Sequence, residues 1–247
     1  MYDPADATGG KLLTVRKPLL DLKTGAISYI MPKAGRVRMR AGIKNGPLLS
    51  TIIDWEPRRA GKNTQIWDGQ DKAGLINLLK NPGQELFVFA YSLPDNSIIL
   101  KSATPAKQAE RPSTSASMKR RPRKPGHSKA KYKHALHDQR YCHEPKFDVR
   151  FPGSVSQTAD GIPILNGIAP VKVVISERDR QHLESARFEV MFFVDTVFLF
   201  EDEEGFTPFT YRWNTQDLPQ GEHIFTVNIL SYDDHCGTVS RKIMIRR

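Results

Sequence analysis

Short apolar runs alternate with clusters of turn-forming residues along most of the chain, a pattern typical of β-strands. The clearest run is 36–43, where Val37, Met39, Ala41 and Ile43 share one side of an extended strand and three arginines occupy the other. This period of two predicts a strand that is buried on one face.

Similar runs recur on both sides of the chain's middle. In the first part they lie at 48–55 and 85–93, with turn signals at 44–47, 68–69 and 81–83. After residue 146 there are seven candidate strands, at 147–151, 170–176, 187–195, 197–200, 209–213, 223–230 and 238–246. Seven short strands in about 100 residues favour a sandwich of two sheets. The polar segment 176–186 is only weakly helix-like, and a connecting loop or a single turn is the favoured prediction.

The sequence therefore predicts an all-β fold, with two Ig-like β-sandwich domains joined by a long basic linker. The boundaries that we expect are a tail at 1–9, a sandwich at 10–100, the linker at 101–146 and a second sandwich at 147–247. Because helices do not alternate with strands, the nucleotide-binding α/β folds are disfavoured.

The formal charge of +10 is confined to one stretch. Residues 101–150 hold 14 Lys and Arg against 4 Asp and Glu, and the rest of the chain holds 23 of each. The segment from Lys101 to Lys131 is rich in Pro, Ser, Thr, Lys and Arg and has almost nothing apolar to bury, so we expect it to be extended or irregular.

This basic linker has three open interpretations: a solvated connection, a nonspecific polyanion contact, or a tail that binds nucleic acid. Tyr132 is the only aromatic residue besides histidine between 101 and 140, so base stacking and sequence-specific recognition are not expected. The candidate polyanion contacts are Lys119, Arg120, Arg121, Arg123, Lys124, Lys129, Lys131 and Lys133.

The segment 60–74 has an Ala-Gly pair followed by Trp-Asp-Gly-x-Asp-x-x-Gly. These positions are Ala60, Gly61, Trp67, Asp68, Gly69, Asp71 and Gly74. The segment resembles the Ig-like repeat of the flagellar hook-capping protein family over about residues 29–100, although "PGQELFVFA" departs from the Gly-x-Tyr with which that family opens its next strand. Asp-Gly and the second glycine suit the positive φ of a tight turn, and Trp67 is expected to be buried.

The second half is similar to bacterial Ig-like and cadherin-like modules. The similarity rests on a Val-Asp strand end, on Trp213-Asn214-Thr215, and on Leu218-Pro219-x-Gly221-x-His223 before a long strand. It implies a module of a secreted or cell-surface protein, acting as a spacer, an adhesive unit or an accessory domain, with Trp213 buried against the core.

Catalytic and metal-binding chemistry finds little support in the sequence. The acidic run 201–204 lacks the alternate spacing of a calcium loop and is interpreted as a solvated loop. Asp68 and Asp71 suit either a cation or turn geometry, and we favour the turn. No catalytic signature appears, so we expect no enzymatic activity, no cofactor and no metal.

Two cysteines, Cys142 and Cys236, leave three alternatives. In an Ig-type sandwich the start of the first strand and the loop between the last two strands lie at the same end, so both cysteines are expected at that end, which allows a disulfide. A reducing compartment would instead keep both thiols free. The adjacent His143 and His235 allow a two-Cys, two-His zinc site.

The functional prediction is a non-enzymatic structural or interaction protein of a bacterial surface or envelope assembly. Its partner is expected to be another protein of that assembly or a second copy of this chain. One alternative is polyanion binding through the linker. The other is an accessory glycan-binding module, for which Phe206, Phe209 and Tyr211 form the only local aromatic cluster. No apolar run reaches the roughly 18 residues of a membrane helix, and no secretory signal is visible, so the extracellular or envelope location rests on the resemblances.

Overall fold

The computed structural model describes residues 13–81, 83–92, 144–154 and 156–247. We refer to residues 13–92 as the N-terminal unit and to residues 144–247 as the C-terminal unit. The predicted tail 1–9, most of the predicted linker with its eight candidate polyanion contacts, and Cys142 lie outside the described residues.

Strands dominate both units, so the fold is all-β. The N-terminal unit contains β1 (Arg16–Leu20), β2 (Ala26–Met31), β3 (Gly35–Ile43), β4 (Leu48–Arg58), β5 (Gly61–Ile66) and β6 (Gln84–Ser92), with a 3₁₀ turn at Leu78–Lys80. They form two antiparallel three-stranded sheets, in the orders β1-β2-β5 and β4-β3-β6.

One apolar core lies between these two sheets. Ile27 and Tyr29 of β2 pack with Val37 and Met39 of β3, and all four side chains are buried. Burial on alternate positions is what period-two strands produce when one face of each sheet meets the other sheet.

The C-terminal unit has nine further strands and one helix, α1 (Glu177–Ala186). The strands are β7 (Phe147–Arg150), β8 (Ser156–Gln157), β9 (Pro163–Leu165), β10 (Ile168–Ile175), β11 (Phe188–Val194), β12 (Val197–Asp202), β13 (Phe209–Asn214), β14 (Gly221–Ser231) and β15 (Cys236–Ile245). They form sheets in the orders β13-β10-β7 and β12-β11-β14-β15-β9-β8. Among the described strands only β9 and β15 pair in parallel.

These two sheets enclose a second core rich in aromatic residues. Phe192 of β11 packs on Phe225 of β14, which in turn lies against Trp213 of β13, and Trp213 is only 2 % exposed. The Trp213 and Phe225 ring centroids are 5.1 Å apart. The predicted burial of Trp213 is confirmed.

The favoured prediction of a loop or single turn at 176–186 is wrong, because residues 177–186 form helix α1. Glu177 and Asp179 lie in its first turn, where negative charge stabilises the helix end. The Asp179 carboxylate accepts hydrogen bonds from Ser176 Oγ at 2.7 Å and from the Lys146 backbone N–H at 2.9 Å. Leu183 is fully buried in the core. One apolar anchor and one buried carboxylate therefore hold a helix whose sequence is otherwise polar.

Strand β3 also differs from its prediction as a strand buried on one face. Arg38 and Arg40, on the face opposite Val37 and Met39, are only 3 % and 5 % exposed. The C-terminal unit covers this face, so β3 is buried on both sides.

Candidate functional site

The turn between β14 and β15, residues 231–236, is the point at which the two units and helix α1 meet. Ser231 N–H donates to the His235 carbonyl at 2.9 Å, and Asp234 N–H donates to the Ser231 carbonyl at 2.9 Å. Asp234 has a φ of 70°, a left-handed conformation that aspartate tolerates better than most residues. The turn presents Asp234 to one side and its neighbours Asp233 and His235 to the other.

Both buried arginines of β3 bind Asp234. Arg38 Nη1 is 2.7 Å from the carboxylate Oδ2 and also donates to the Asp234 carbonyl. Arg40 donates to the carboxylate Oδ1 at 3.1 Å and to the carbonyl at 2.7 Å. We call this set of three residues the arginine clamp. It joins strand β3 of one unit to the 231–236 turn of the other by charge-assisted bonds.

Arg38 has two further partners on β4. Its Nε donates to Asp54 Oδ1 at 3.1 Å, and its guanidinium carbon lies 4.5 Å from the centroid of the Trp55 ring. Trp55 has a φ of 53° where the β3–β4 register shifts. Burial, reinforced by the neighbouring charge of Arg40, lowers the pKa of Arg38, while Asp234 and Asp54 oppose that shift. The carboxylates thus compensate a cation that burial alone would disfavour.

A second polar contact joins the units beside the clamp. The side-chain amide of Asn228 accepts from the Leu48 backbone N–H at 2.8 Å and donates to the Leu48 carbonyl at 2.7 Å. Thr238 Oγ1 also donates to that carbonyl, at 3.0 Å. Asn228 and Thr238 are buried, so these hydrogen bonds satisfy the backbone N–H and carbonyl of Leu48, at the start of β4, where water has no access.

On the other side of the turn, Asp233 lies between two imidazole rings. His182 Nε2, from α1, is 2.8 Å from Asp233 Oδ2, and His235 Nδ1 is 3.0 Å from Asp233 Oδ1. Ser231 Oγ also donates to Asp233. Burial works to raise the pKa of Asp233, but the hydrogen bonds from His182, His235 and Ser231 outweigh it and hold that pKa well below its usual range. We call His182, Asp233 and His235 the histidine cluster.

A small polar cavity lies beside the clamp, where β3 and β4 face the 231–236 turn. It is lined by Arg38, Arg40, Thr51, Asp54, Glu144, His235 and Cys236. Arg40 Nε is buried there and has no hydrogen-bond partner among the described residues. Burial raises the pKa of Cys236, which favours the uncharged thiol. The cavity therefore offers charged and hydrogen-bonding groups rather than an activated nucleophile.

The Trp-Asp-Gly segment has a structural role. Trp67 is 8 % exposed, as predicted, and its backbone N–H donates to the Gly25 carbonyl at 3.0 Å. Gly69 and Gly74 have φ values of 77° and 70°, which confirms the expected turn geometry.

Both aspartates of that segment bind backbone amides. Asp68 Oδ1 accepts from the Gln70 N–H at 2.9 Å. The buried Asp71 accepts from three N–H groups, at 2.6, 2.8 and 3.2 Å, which belong to Leu75, Ile76 and Ala73. These contacts favour the turn interpretation over a cation site for Asp68 and Asp71.

Of the aromatic cluster considered for glycan binding, Phe209 and Tyr211 pack in or against the core of the C-terminal unit. Phe209 is buried, and Tyr211 stacks in parallel on Phe200 with ring centroids 4.6 Å apart. Phe206 is 55 % exposed.

The acidic run lies at the end of β12, where Asp202 Oδ1 accepts from the Glu204 N–H. Burial and the nearby charges of Glu189 and Glu203 raise the pKa of Glu201. Glu201 and Asp202 are half-buried residues of β12, and only Glu203 and Glu204 are exposed beyond it, so the predicted solvated loop is correct for the second half of the run and wrong for the first.

The proposed cysteine chemistry is only half described. Cys236 is a buried thiol in this structure, at the edge of the cavity. Cys142 and His143 lie outside the described residues, so the disulfide and the two-Cys, two-His zinc site both stay predictions.

Sequence reasoning missed the clamp and the role of His182. Alternation in β3 placed Arg38 and Arg40 on one face but carried no information on what covers that face. His182 and Asp233 are 51 positions apart and belong to no spacing motif. The only available signal was the concentration of two aspartates and a histidine in one hairpin turn.

Comparison with protein-family models and with curated proteins finds no match to this chain. Among the described residues, no helix is both long and apolar enough to cross a membrane.

Proposed function

We propose that this chain is a non-enzymatic structural protein of a bacterial surface or envelope assembly, in which two Ig-like domains act as one rigid unit and bind a protein partner. The observation that carries the proposal is the arginine clamp. Separating the two units would break the charge-assisted bonds of Arg38 and Arg40 to Asp234 and expose the face of β3 that the interface now buries. A fixed spacing between two β-units suits a load-bearing or spacing role.

The surface or envelope location in this proposal is supported by the resemblance of the sequence to the hook-capping repeat and to bacterial Ig-like modules. In addition, the outer face of the β1-β2-β5 sheet carries exposed apolar side chains. Leu19 is 68 % exposed, Ile30 42 % and Ile66 65 %. Leu19 pairs with Ser28 and Ile66 with Ala26, both on the face opposite the buried Ile27, so all three side chains point outward. Exposed apolar patches of this kind mark protein contact surfaces.

The proposal is tested by site-specific photo-crosslinking in intact cells of the native source. A photoreactive residue replaces Ile66 on the outer face in one variant and the exposed Thr210 of β13 in a control variant. We expect one defined adduct with an envelope or surface protein, or with a second copy, from position 66 only. Equal adducts from both positions, or adducts only with cytoplasmic proteins, would contradict the proposal.

Polyanion binding through the linker is a second candidate, and the confinement of the net charge to residues 101–150 favours it. Retention on heparin that falls steeply with salt and is lost on deletion of 118–133 would support it. Retention that survives the deletion would exclude residues 118–133, and with them the eight candidate contacts, as the binding site.

A further inference from the structure

The histidine cluster has the composition and spacing of a metal site. One nitrogen from each imidazole and one carboxylate oxygen of Asp233 lie within 4.8 Å of one another. The rings of His182 and His235 are nearly perpendicular, at 79°, with centroids 4.8 Å apart. We propose that His182, Asp233 and His235 bind a divalent transition-metal ion of the Zn²⁺ class.

The donor set selects the class of ion. Two imidazole nitrogens and one carboxylate oxygen suit Zn²⁺ and Co²⁺, whereas Ca²⁺ takes six to eight oxygen ligands. Ligand atoms about 2.0–2.2 Å from a tetrahedral ion lie about 3.3 Å from one another. The imidazole–carboxylate distances of 2.8 and 3.0 Å end on different oxygens of Asp233, and the three ligand atoms spread over as much as 4.8 Å. Binding therefore requires side-chain rotations that bring both nitrogens and one oxygen to the tetrahedral spacing.

The ligands are held by elements that are already fixed. Asp233 and His235 belong to the 231–236 turn, which the arginine clamp ties to β3 through Asp234. His182 precedes Leu183, whose buried side chain anchors α1 in the core. Ser231 Oγ donates to Asp233 and orients its carboxylate, as outer-shell groups do at metal sites. Little ordering entropy is therefore lost when an ion binds.

Three protein ligands leave a fourth position for water or an external group. The site joins α1 to the β14–β15 hairpin, so a bound ion would act as a cross-link within the C-terminal unit. Binding to the folded state alone then raises the stability of the fold.

The chain provides its own control in His223. Its Nδ1 is 2.6 Å from Asp195 Oδ2, and its Nε2 is 2.9 Å from the Pro219 carbonyl. The His223 ring is buried like that of His235, but its partner Asp195 is exposed and no second imidazole completes the set among the described residues. Because His223 is not a ligand of the proposed site, His223→Gln is expected to leave metal binding unchanged.

The experiment uses the full chain with His127, His134, His137 and His143 replaced by glutamine, which removes the histidines outside the described residues. Titration with Co²⁺ is followed by visible absorption, and titration with Zn²⁺ by calorimetry. We expect one ion per chain, the absorption of a four-coordinate Co²⁺ complex, and a metal-dependent rise in melting temperature.

In that background, His182→Gln is expected to weaken binding at least about 100-fold, since loss of a direct ligand costs no less than loss of an outer-shell group. His223→Gln is expected to bind like the parent. Asp233→Asn serves as a second ligand variant if circular dichroism shows that His182→Gln does not fold. No binding by the parent, or unchanged affinity in a folded ligand variant, would overturn the proposal.

Discussion

Asp234 links the two units through both its charge and its backbone conformation. Asparagine tolerates the same left-handed φ and keeps the carbonyl that Arg38 and Arg40 bind, so Asp234→Asn removes the charge alone. We expect the free energy of unfolding to fall by about 2–3 kcal/mol. This is less than for a fully enclosed pair, because the Asp234 side chain is 40 % exposed.

Chemical denaturation measures this change, and Asp217→Asn is the matched control. Asp217 is exposed on a surface turn, and its replacement is expected to change stability by no more than about 0.5 kcal/mol. Equal effects of the two substitutions would mean that the Asp234 carboxylate does not compensate the buried arginines.

His223 makes stability depend on pH in a predictable direction. Burial works to lower its pKa, but the hydrogen bonds that the ring donates to the Asp195 carboxylate and the Pro219 carbonyl outweigh it and raise the pKa above the ordinary value of 6.5. A raised histidine pKa contributes stability that is fully present below 6.5 and is lost as the pH rises through the folded-state pKa. The difference in unfolding free energy between the wild type and His223→Gln is therefore expected to be larger near pH 6 than near pH 9. A difference that is constant with pH would show that folding does not raise the pKa of this ring.

At the scale of single elements, the period-two pattern identified many of the strands, and the Trp-Asp-Gly segment identified a turn correctly. Both are local signals, since alternation and positive φ depend on neighbouring residues. Helix α1 was missed because its apolar anchor is a single residue, Leu183, and its stabilising contact is the distant amide of Lys146. The buried arginines were missed for the same reason: the surface that covers them comes from residues almost 200 positions away.

The role of Asp179 in α1 leads to a testable prediction. Asp179→Ala removes the acceptor for Ser176 Oγ and leaves the Lys146 N–H without this partner. Loss of such a contact at a helix start costs about 1–2 kcal/mol. We expect a loss of that size in denaturation and faster hydrogen exchange of the Lys146 amide.

Glu177→Ala is the control for this prediction, because Glu177 lies in the same first turn but is exposed. It keeps the Asp179 contacts and is expected to lose only a few tenths of a kcal/mol through the helix dipole. Equal losses in the two variants would point to the dipole rather than to the buried carboxylate.

At the scale of the molecule, the two cores are separate but the surface between them is shared. Asn228 provides both a donor and an acceptor to the backbone of Leu48, and Ile224 packs against the N-terminal core from the other unit. Buried polar bonds of this kind require a defined geometry, since each unpaired group costs about 1–3 kcal/mol. The interface thus fixes orientation as well as contact.

The last prediction concerns this interface as a whole. The wild type is expected to unfold in one calorimetric transition, because each unit loses buried partners when the other unfolds. Combining Asn228→Ala with Asp234→Asn removes the amide contact and weakens the clamp while leaving both apolar cores intact. We expect this double variant to unfold in two transitions and to show a larger radius of gyration in X-ray scattering. Asn214→Ala, at the exposed end of β13 in the C-terminal unit, is expected to behave like the wild type in both measurements. A double variant with one transition and an unchanged radius would mean that contacts other than these two hold the units together.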